Sequence, residues 1–327
     1  MTDATLGKWI SNFPKDAPLY YKDGVFSVNA GFVSSRYFLD SAADTETDGD
    51  AFAYSMDKVR SALHDMPVSY RVEVDGEGIL HILGEGDTIT SCVSPLPSRV
   101  PADALGISVD LDDAVALPMT DALSELLSLA RSAMSLAQRN GYANGYLHVS
   151  QKRAWFSAGD LTVLFSSPEG YLPEDSSDIR LSLDVLKYLQ RSKVNTASGI
   201  YLSQSHLMYS DGVTVFHSLY VEDTTNVTLP STTLGYLDAT EGMELPESLV
   251  SLFSLKSKLT TITPTGVHCD DRFYTVKTGI LNPVYLPNGI AQILYYVLKG
   301  NVVSYKDNKS NELLFTETAH NKVVGVF

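Results

Sequence analysis

The feature that most constrains this chain is an order of elements that keeps returning. A short amphipathic helix is followed by two or three strands joined by tight turns, several times along 327 residues. The clearest copy spans 50–97. Phe52-Ala53-Tyr54 predicts a short strand, and Ser55 stands where an N-cap belongs. Met56, Val59 and Leu63 then fall at i, i+3 and i+7, the spacing of one helix face, until Pro67 ends the run. Strands follow at 68–74, 78–83 and 88–95, separated by the turn residues Asp75-Gly76-Glu77-Gly78 and Gly84-Glu85-Gly86-Asp87. Alternation such as Tyr70-Arg71-Val72-Glu73-Val74 marks them as half-buried.

Four more copies follow. One has a strand at 114–117, a helix from Thr120 to Arg139, and strands at 145–150, 153–158 and 161–166. The next has a strand at 179–182, a helix at 183–191, and strands at 199–204, 206–209 and 214–221. Then come a strand at 243–245, a helix at 246–258, and strands at 260–269 and 272–277. The last has a strand at 284–286, a helix at 287–298, and strands at 302–306, 312–317 and 322–327. The N-terminus holds a sixth copy without its leading strand: a helix at 5–13, then strands at 18–21, 24–29 and 35–39. Six units average about 54 residues, and taken in pairs they predict three domains, 1–108, 109–230 and 231–327. The fold class expected is α+β with antiparallel sheets.

Composition narrows the function. With 44% apolar and 19% charged residues the chain has material for real cores, and a net charge of -15 excludes a basic nucleic-acid coat. No apolar run reaches the roughly 18 residues of a membrane span, and Met1 to Leu6 lacks a basic and an apolar leader region, so a cytoplasmic protein is expected. Cys92 and Cys269 lie in strand-like runs and are expected to be buried free thiols. Catalytic and cofactor motifs are absent: no P-loop, no Gly-x-Gly-x-x-Gly after a strand, no Cys-x-x-Cys, no His-Glu-x-x-His, no Gly-x-Ser-x-Gly. The histidines, His64, His81, His148, His206, His217, His268 and His320, are scattered singly. His268-Cys269-Asp270-Asp271 cannot converge on one metal, because neighbours in a strand point to opposite faces. The acidic stretches 40–50 and 110–113 lack the spacing of a calcium loop and read as solvated linkers, and Asn226-Val227-Thr228 is a chance sequon. No enzyme, cofactor or metal is expected.

The repeat order resembles the bacterial β-type DNA polymerase sliding clamp, a ring-shaped processivity factor with six half-domains per chain. Ser132 to Leu147, which contains Ser135-Leu136-Ala137 and Asn144-Gly145, looks like the end of that family's second-domain helix and the start of its next strand. Phe156-Ser157-Ala158-Gly159-Asp160 sits where the family has a Thr-Asp-Gly turn followed by His-Arg. Lys322 to Phe327 looks like its terminal strand. Two departures stand out: Asp160-Leu161 replaces His-Arg, and Gly325-Val326-Phe327 replaces a Met-Pro-Met type tail. The shorter chain with its trimmed first unit suits a phage or plasmid member.

The resemblance implies a homodimeric ring whose helices line a hole around double-stranded DNA while the sheets form the outside. Sliding needs weak, sequence-independent contacts from Lys and Arg to phosphates. Lys8, Lys58, Arg60, Arg131, Arg139, Lys187, Arg191, Lys193, Lys256, Lys258 and Lys299 lie on or just after the six predicted helices. They are eleven of 24 basic residues, at least one in every unit. The plainer reading is that Lys and Arg occupy the solvent face and last turn of any amphipathic helix. The family also captures short peptides of the DNA polymerase and clamp loader in an apolar cleft. By position its lining here is Ala143, Ser157, Gly159, Leu161, Leu229, Pro230, Val324, Val326 and Phe327; the plainer reading of the 323–327 strand is ordinary core or sheet edge, which for Val324 alone is equally good. Other readings are a β-rich viral tail or capsid component, an enzyme on an unfamiliar scaffold, or a trimeric ring of two-domain chains with an added N-terminal region.

Overall fold

The computed structural model describes residues 4–39, 50–64, 66, 70–84, 89–101, 114–143, 145–158, 161–194, 197, 199–203, 205–210, 215–223, 243–287, 289–298, 303–308, 312–317 and 322–326. All six predicted repeats are present. Repeat 1 is α1 (Ala4–Ile10), β1 (Pro18–Lys22), β2 (Val25–Asn29) and β3 (Val33–Phe38). Repeat 2 is β4 (Phe52–Ser55), α2 (Met56–His64), β5 (Arg71–Val74), β6 (Leu80–Leu83) and β7 (Ile89–Val93). Repeat 3 is β8 (Val115–Ala116), α3 (Asp121–Arg139), β9 (Tyr146–Val149), β10 (Arg153–Ala158) and β11 (Leu161–Ser166). Repeat 4 is β12 (Ile179–Ser182), α4 (Leu183–Arg191), β13 (Gly199–Leu202), β14 (His206–Ser210) and β15 (Val215–Tyr220), followed by β16 (Glu222–Asp223). Repeat 5 is β17 (Met243–Glu244), α5 (Glu247–Leu252), β18 (Leu259–Thr263), β19 (Gly266–Cys269) and β20 (Arg272–Thr275). Repeat 6 is β21 (Val284–Pro287), α6 (Ile290–Leu298), β22 (Val303–Asn308), β23 (Glu312–Glu317) and β24 (Lys322–Val326).

Repeat 5 differs from expectation twice. The helix expected to reach 258 ends at Leu252, where the N–H groups of Phe253, Ser254 and Leu255 turn to carbonyls three residues back. Ser251 and Ser254 hydroxyls donate to the carbonyls of Glu247 and Ser251 and compete with the helical ladder. The single long strand expected at 260–269 is a hairpin, with Thr263↔Gly266 as its last pair before the Pro264-Thr265 turn. The break gives repeat 5 the three strands of the others.

The strands pair by a regular rule. A leading strand joins the first strand of the neighbouring repeat rather than its own: β4 pairs β1, β8 pairs β13, β12 pairs β9, β17 pairs β22, and β21 pairs β18. Third strands then pair with each other, β3 with β15 (Val33↔Leu219) and β11 with β24 (Leu161↔Val326). The result is an eight-stranded sheet β4-β1-β2-β3-β15-β14-β13-β8 and a nine-stranded sheet β16-β12-β9-β10-β11-β24-β23-β22-β17. A three-stranded β5-β6-β7 and a four-stranded β20-β19-β18-β21 remain. Among the described residues, the third strands β7 and β20 are paired on one side only.

The chain divides into two compact units, Met1–Pro118 with Tyr188–Val221, and Met119–Lys187 with Glu222–Phe327. The first holds the eight- and three-stranded sheets. Its core gathers Trp9, Phe13, Tyr37 and Tyr188, with ring centroids 5.2 Å (Trp9 to Phe13) and 5.6 Å (Phe13 to Tyr188) apart. Four polar side chains inside it pair with one another: Trp9 Nε1 donates to Ser35 Oγ at 2.8 Å, and His217 Nδ1 lies 2.8 Å from Ser35 Oγ and 3.0 Å from the Tyr188 hydroxyl. The second unit packs α3 on α6. Thr120, expected as the first residue of the helix, instead caps α3 by accepting from the Leu123 N–H at 3.2 Å. Buried Ala130, Ala133 and Ala137 give α3 a thin face, and α6 buries Ile290, Ala291, Ile293, Leu294, Val297 and Leu298.

Cys269 is a buried free thiol as expected, but Cys92 is exposed. Strand alternation explains it, since buried Val93 takes the core face and turns Cys92 outward. Among the described residues no helix is long and apolar enough to cross a membrane, and no cluster of His, Cys, Asp or Glu has the makings of a metal site.

Candidate functional site

The basic residues separate into two kinds once their surroundings are known. On α1, Leu6, Trp9 and Ile10 are buried and Lys8 stands on the exposed face. On α2, Met56, Val59 and Leu63 face the core and Lys58 is exposed. Arg139 ends α3 and Arg191 ends α4, both exposed and both where the helix dipole favours a cation. Lys193 is exposed just past α4, in the left-handed region with φ 56°.

Other predicted lining residues have local tasks. Arg60 is half-buried, and its Nη2 donates to the carbonyls of Ile10 (2.6 Å) and Phe13. Ile10 ends α1 and Phe13 lies in the turn that follows it, so Arg60 ties α2 to the end of α1 and its exit turn instead of presenting a free cation. Arg131 is half-buried and lies 3.3 Å from Ser132 Oγ. Lys187 is drawn to Gln138 Oε1 at 3.4 Å and Asp184 at 3.8 Å. Lys256 and Lys258 are exposed but sit in the connection between α5 and β18, not on the helix, because α5 ends early. Lys299 lies outside the described residues.

The expected peptide cleft is described only in part. Gly159, Leu229, Pro230 and Phe327 lie outside the described residues, and of Val324 and Val326 only the backbone is described. Ala143 is exposed beyond the end of α3. Nearby, Gly145 passes so close to β10 that an added Cβ would lie 2.4 Å from the Ser157 carbonyl oxygen, so only glycine fits. The register brings Ala158, Leu161 and Val326 into one cross-strand row, and Phe156, Val163 and Val324 into the next on the same face. Leu161 on that face is fully buried. Ser157 instead shares a row with Thr162 and Gly325, on the opposite face, and its Oγ lies 2.9 Å from Thr162 Oγ1. Ser157 and Leu161 therefore do not line one surface, because residues one apart across the pleat point apart.

Two arrangements were not anticipated from the sequence. One is the Arg60 clamp, which the helical spacing alone leaves indistinguishable from a solvent-facing arginine. The other is a row on the outer face of β5-β6-β7, where His81 Nε2 lies 2.8 Å from Asp75 Oδ2 and Nδ1 lies 3.4 Å from Cys92 Sγ.

No protein-family model matches the sequence, and no curated protein matches it. Solved structures do match along the whole chain. The DNA polymerase III subunit beta from Pseudomonas aeruginosa superposes with a TM-score of 0.66 at 14% identity, covering 100% of this chain and 98% of that one. The DNA polymerase sliding clamp from Bacillus subtilis gives 0.65 at 12% identity, with 100% and 97% coverage. The Helicobacter pylori beta clamp bound to a DNA ligase peptide gives 0.63 at 9% identity, with 99% and 96% coverage. Helix, strand and sheet order thus agree with the sliding-clamp fold from end to end, and at these identities the likeness establishes the fold.

Proposed function

We propose that this chain is a DNA sliding clamp, a ring that encircles duplex DNA without sequence preference and tethers a replicative DNA polymerase. The observation that carries this reading is the strand-pairing rule. Exchange of leading strands within repeats 1–2, 3–4 and 5–6 supports three tandem domains at 1–108, 109–230 and 231–327. Third strands join the domains in order, β3 to β15 and β11 to β24, leaving β7 and β20 each with one open edge among the described residues. Open edges invite pairing with another chain, and these two belong to the first and last domains. Pairing β7 of one copy with β20 of a second, twice over, closes a homodimer of twelve repeats.

Such a ring needs no catalytic step and no cofactor. It acts by topology, and its DNA contacts are cations spread along the bore, of which Lys8, Lys58, Arg139, Arg191 and Lys193 are the best placed by exposure. A body of net charge -15 repels DNA elsewhere. The Helicobacter pylori clamp was solved with a DNA ligase peptide, which supports capture of short peptides from polymerase and clamp loader by this chain as well. The β11–β24 pairing marks the region, with Leu161 beneath it in the core, and its sequence differs from the bacterial one at Asp160-Leu161 and in the Val326-Phe327 tail. A cytoplasmic place of action follows from the same reading.

Light scattering of the pure protein tests the assembly. A mass of twice the chain's 35.7 kDa is expected. A monomer would remove the homodimeric ring, and a mass of three chains would favour the trimeric alternative.

A further inference from the structure

We propose that Cys92 is a nucleophilic thiol activated by His81 and Asp75, and that it takes up low-molecular-weight disulfides such as oxidised glutathione as a mixed disulfide. The three residues come together through sheet register. Glu73 on β5, His81 on β6 and Cys92 on β7 are consecutive cross-strand partners, so they form one row on the solvent face. Cys92 Sγ lies 3.4 Å from His81 Nδ1, and His81 Nε2 lies 2.8 Å from Asp75 Oδ2. The other carboxylate oxygen of Asp75 accepts the backbone N–H groups of Glu77 (3.0 Å) and Ile79 (2.8 Å), which fix it in the turn between β5 and β6. An imidazole whose Nε2 proton is held by a carboxylate presents the Nδ1 lone pair to its other neighbour. That neighbour here is the thiol, the order of groups that turns a weak nucleophile into a reactive one.

The surrounding charges leave the relay intact. Glu73, opposite His81, has its carboxylate 2.8 Å from Arg71. Helix α2 packs against β7 and carries Asp57, Lys58, Arg60 and His64, but it buries Met56, Val59 and Leu63 on the sheet's core side, where Val93 also points. Cys92 points the other way and is exposed, so a small disulfide reaches it. Pairing along the β7 edge would set cross-strand side chains about 5 Å to one side of Cys92 and leave the outward direction open.

The step balances without another reagent. The thiol proton passes to His81 Nδ1, the thiolate attacks one sulfur of the disulfide, the S–S bond of the reagent breaks, and its second half leaves as a thiolate that takes a proton. Cys269 is the internal control, since it is buried and burial pushes its thiol up, keeping it protonated.

The test is mass spectrometry of the native full chain after timed exposure to oxidised glutathione at pH 7. One adduct of glutathione on Cys92 and none on Cys269 is expected. With its proton acceptor removed, the His81→Ala chain should form the adduct at about a fifth of the wild-type rate or less. His81→Gln should behave as His81→Ala. The wild-type chain itself provides a check that needs no variant: Cys92 should react faster folded than in urea. Equal rates for wild type and His81→Ala at pH 7, a folded rate no faster than the unfolded one, or an adduct on Cys269 would each overturn the proposal.

Discussion

Arg60 and Lys58 stand two residues apart on α2 and should fail in opposite ways. The Arg60 guanidinium donates to the carbonyls of Ile10 and Phe13, whereas Lys58 is exposed. Arg60→Met keeps a similar apolar stem but takes the guanidinium donor away from the carbonyls of Ile10, at the end of α1, and Phe13, in the turn after it. Each charge-assisted bond is worth about 1.5 kcal/mol or more when protected, and with the guanidinium half-buried the pair should total about 2 kcal/mol. Lys58→Met removes only a solvated charge and should cost less than about 0.5 kcal/mol. The assay is urea unfolding followed by the fluorescence of Trp9, which is buried on α1, in a Trp155→Phe background so that one indole reports. With a slope of about 2 kcal/mol/M, Arg60→Met should lower the midpoint by about 1 M at unchanged slope. If the clamp reading of Arg60 is wrong, the two variants will unfold together, and a midpoint for Arg60→Met within about 0.2 M of wild type would refute it.

Three further outcomes follow from named contacts. Gly78 has φ 79° and an added Cβ would lie 2.2 Å from the Phe52 ring, so Gly78→Ala should destabilise the N-terminal unit by about 2 kcal/mol or more, read in the same melt. Asp75 is held below the usual carboxylate range, first by the His81 hydrogen bond and then by the Ile79 and Glu77 N–H groups. Its contribution is therefore present above its unfolded value near 4 and lost as pH falls through the lower folded value; Asp75→Asn should flatten that acid limb of stability, and an unchanged limb would count against the hydrogen bonds. Replacing Lys187, Arg191 and Lys193 together with Glu should abolish stimulation of processive synthesis while leaving the circular dichroism spectrum and melt intact; undiminished stimulation would refute their place beside DNA.

Much of the architecture was legible because helix and strand periods alternate so regularly. The Met56, Val59, Leu63 stripe and the Asp75-Gly76-Glu77-Gly78 turn appear where the sequence puts them. Repeat 5 misled because Ser251 and Ser254 have acceptable helix neighbours in sequence, and only their hydroxyl bonds to carbonyls show why α5 stops. Pairing between distant strands, such as β3 with β15, leaves no mark in either local pattern. Sequence spacing separates the basic residues from the apolar helix faces but does not tell an exposed cation from one with a local partner. Helical spacing places Arg60 and Lys58 alike on the polar side, and what separates them is the nearness of α1 carbonyls contributed by another repeat. Likewise the strand-like neighbours of Cys92 suggest a core position, but the alternation with Val93 decides its face.

The central claim is topological, and retention on DNA measures it most directly. Labelled protein is loaded by a clamp loader onto nicked circular DNA, the unbound fraction is removed by gel filtration in high salt, and the circle is then cut once. The account predicts that protein stays with the circles, because salt weakens phosphate contacts without opening a ring, and that it leaves as soon as the DNA has ends. Release from intact circles at the same salt, or equal retention on circular and linear DNA, would contradict it.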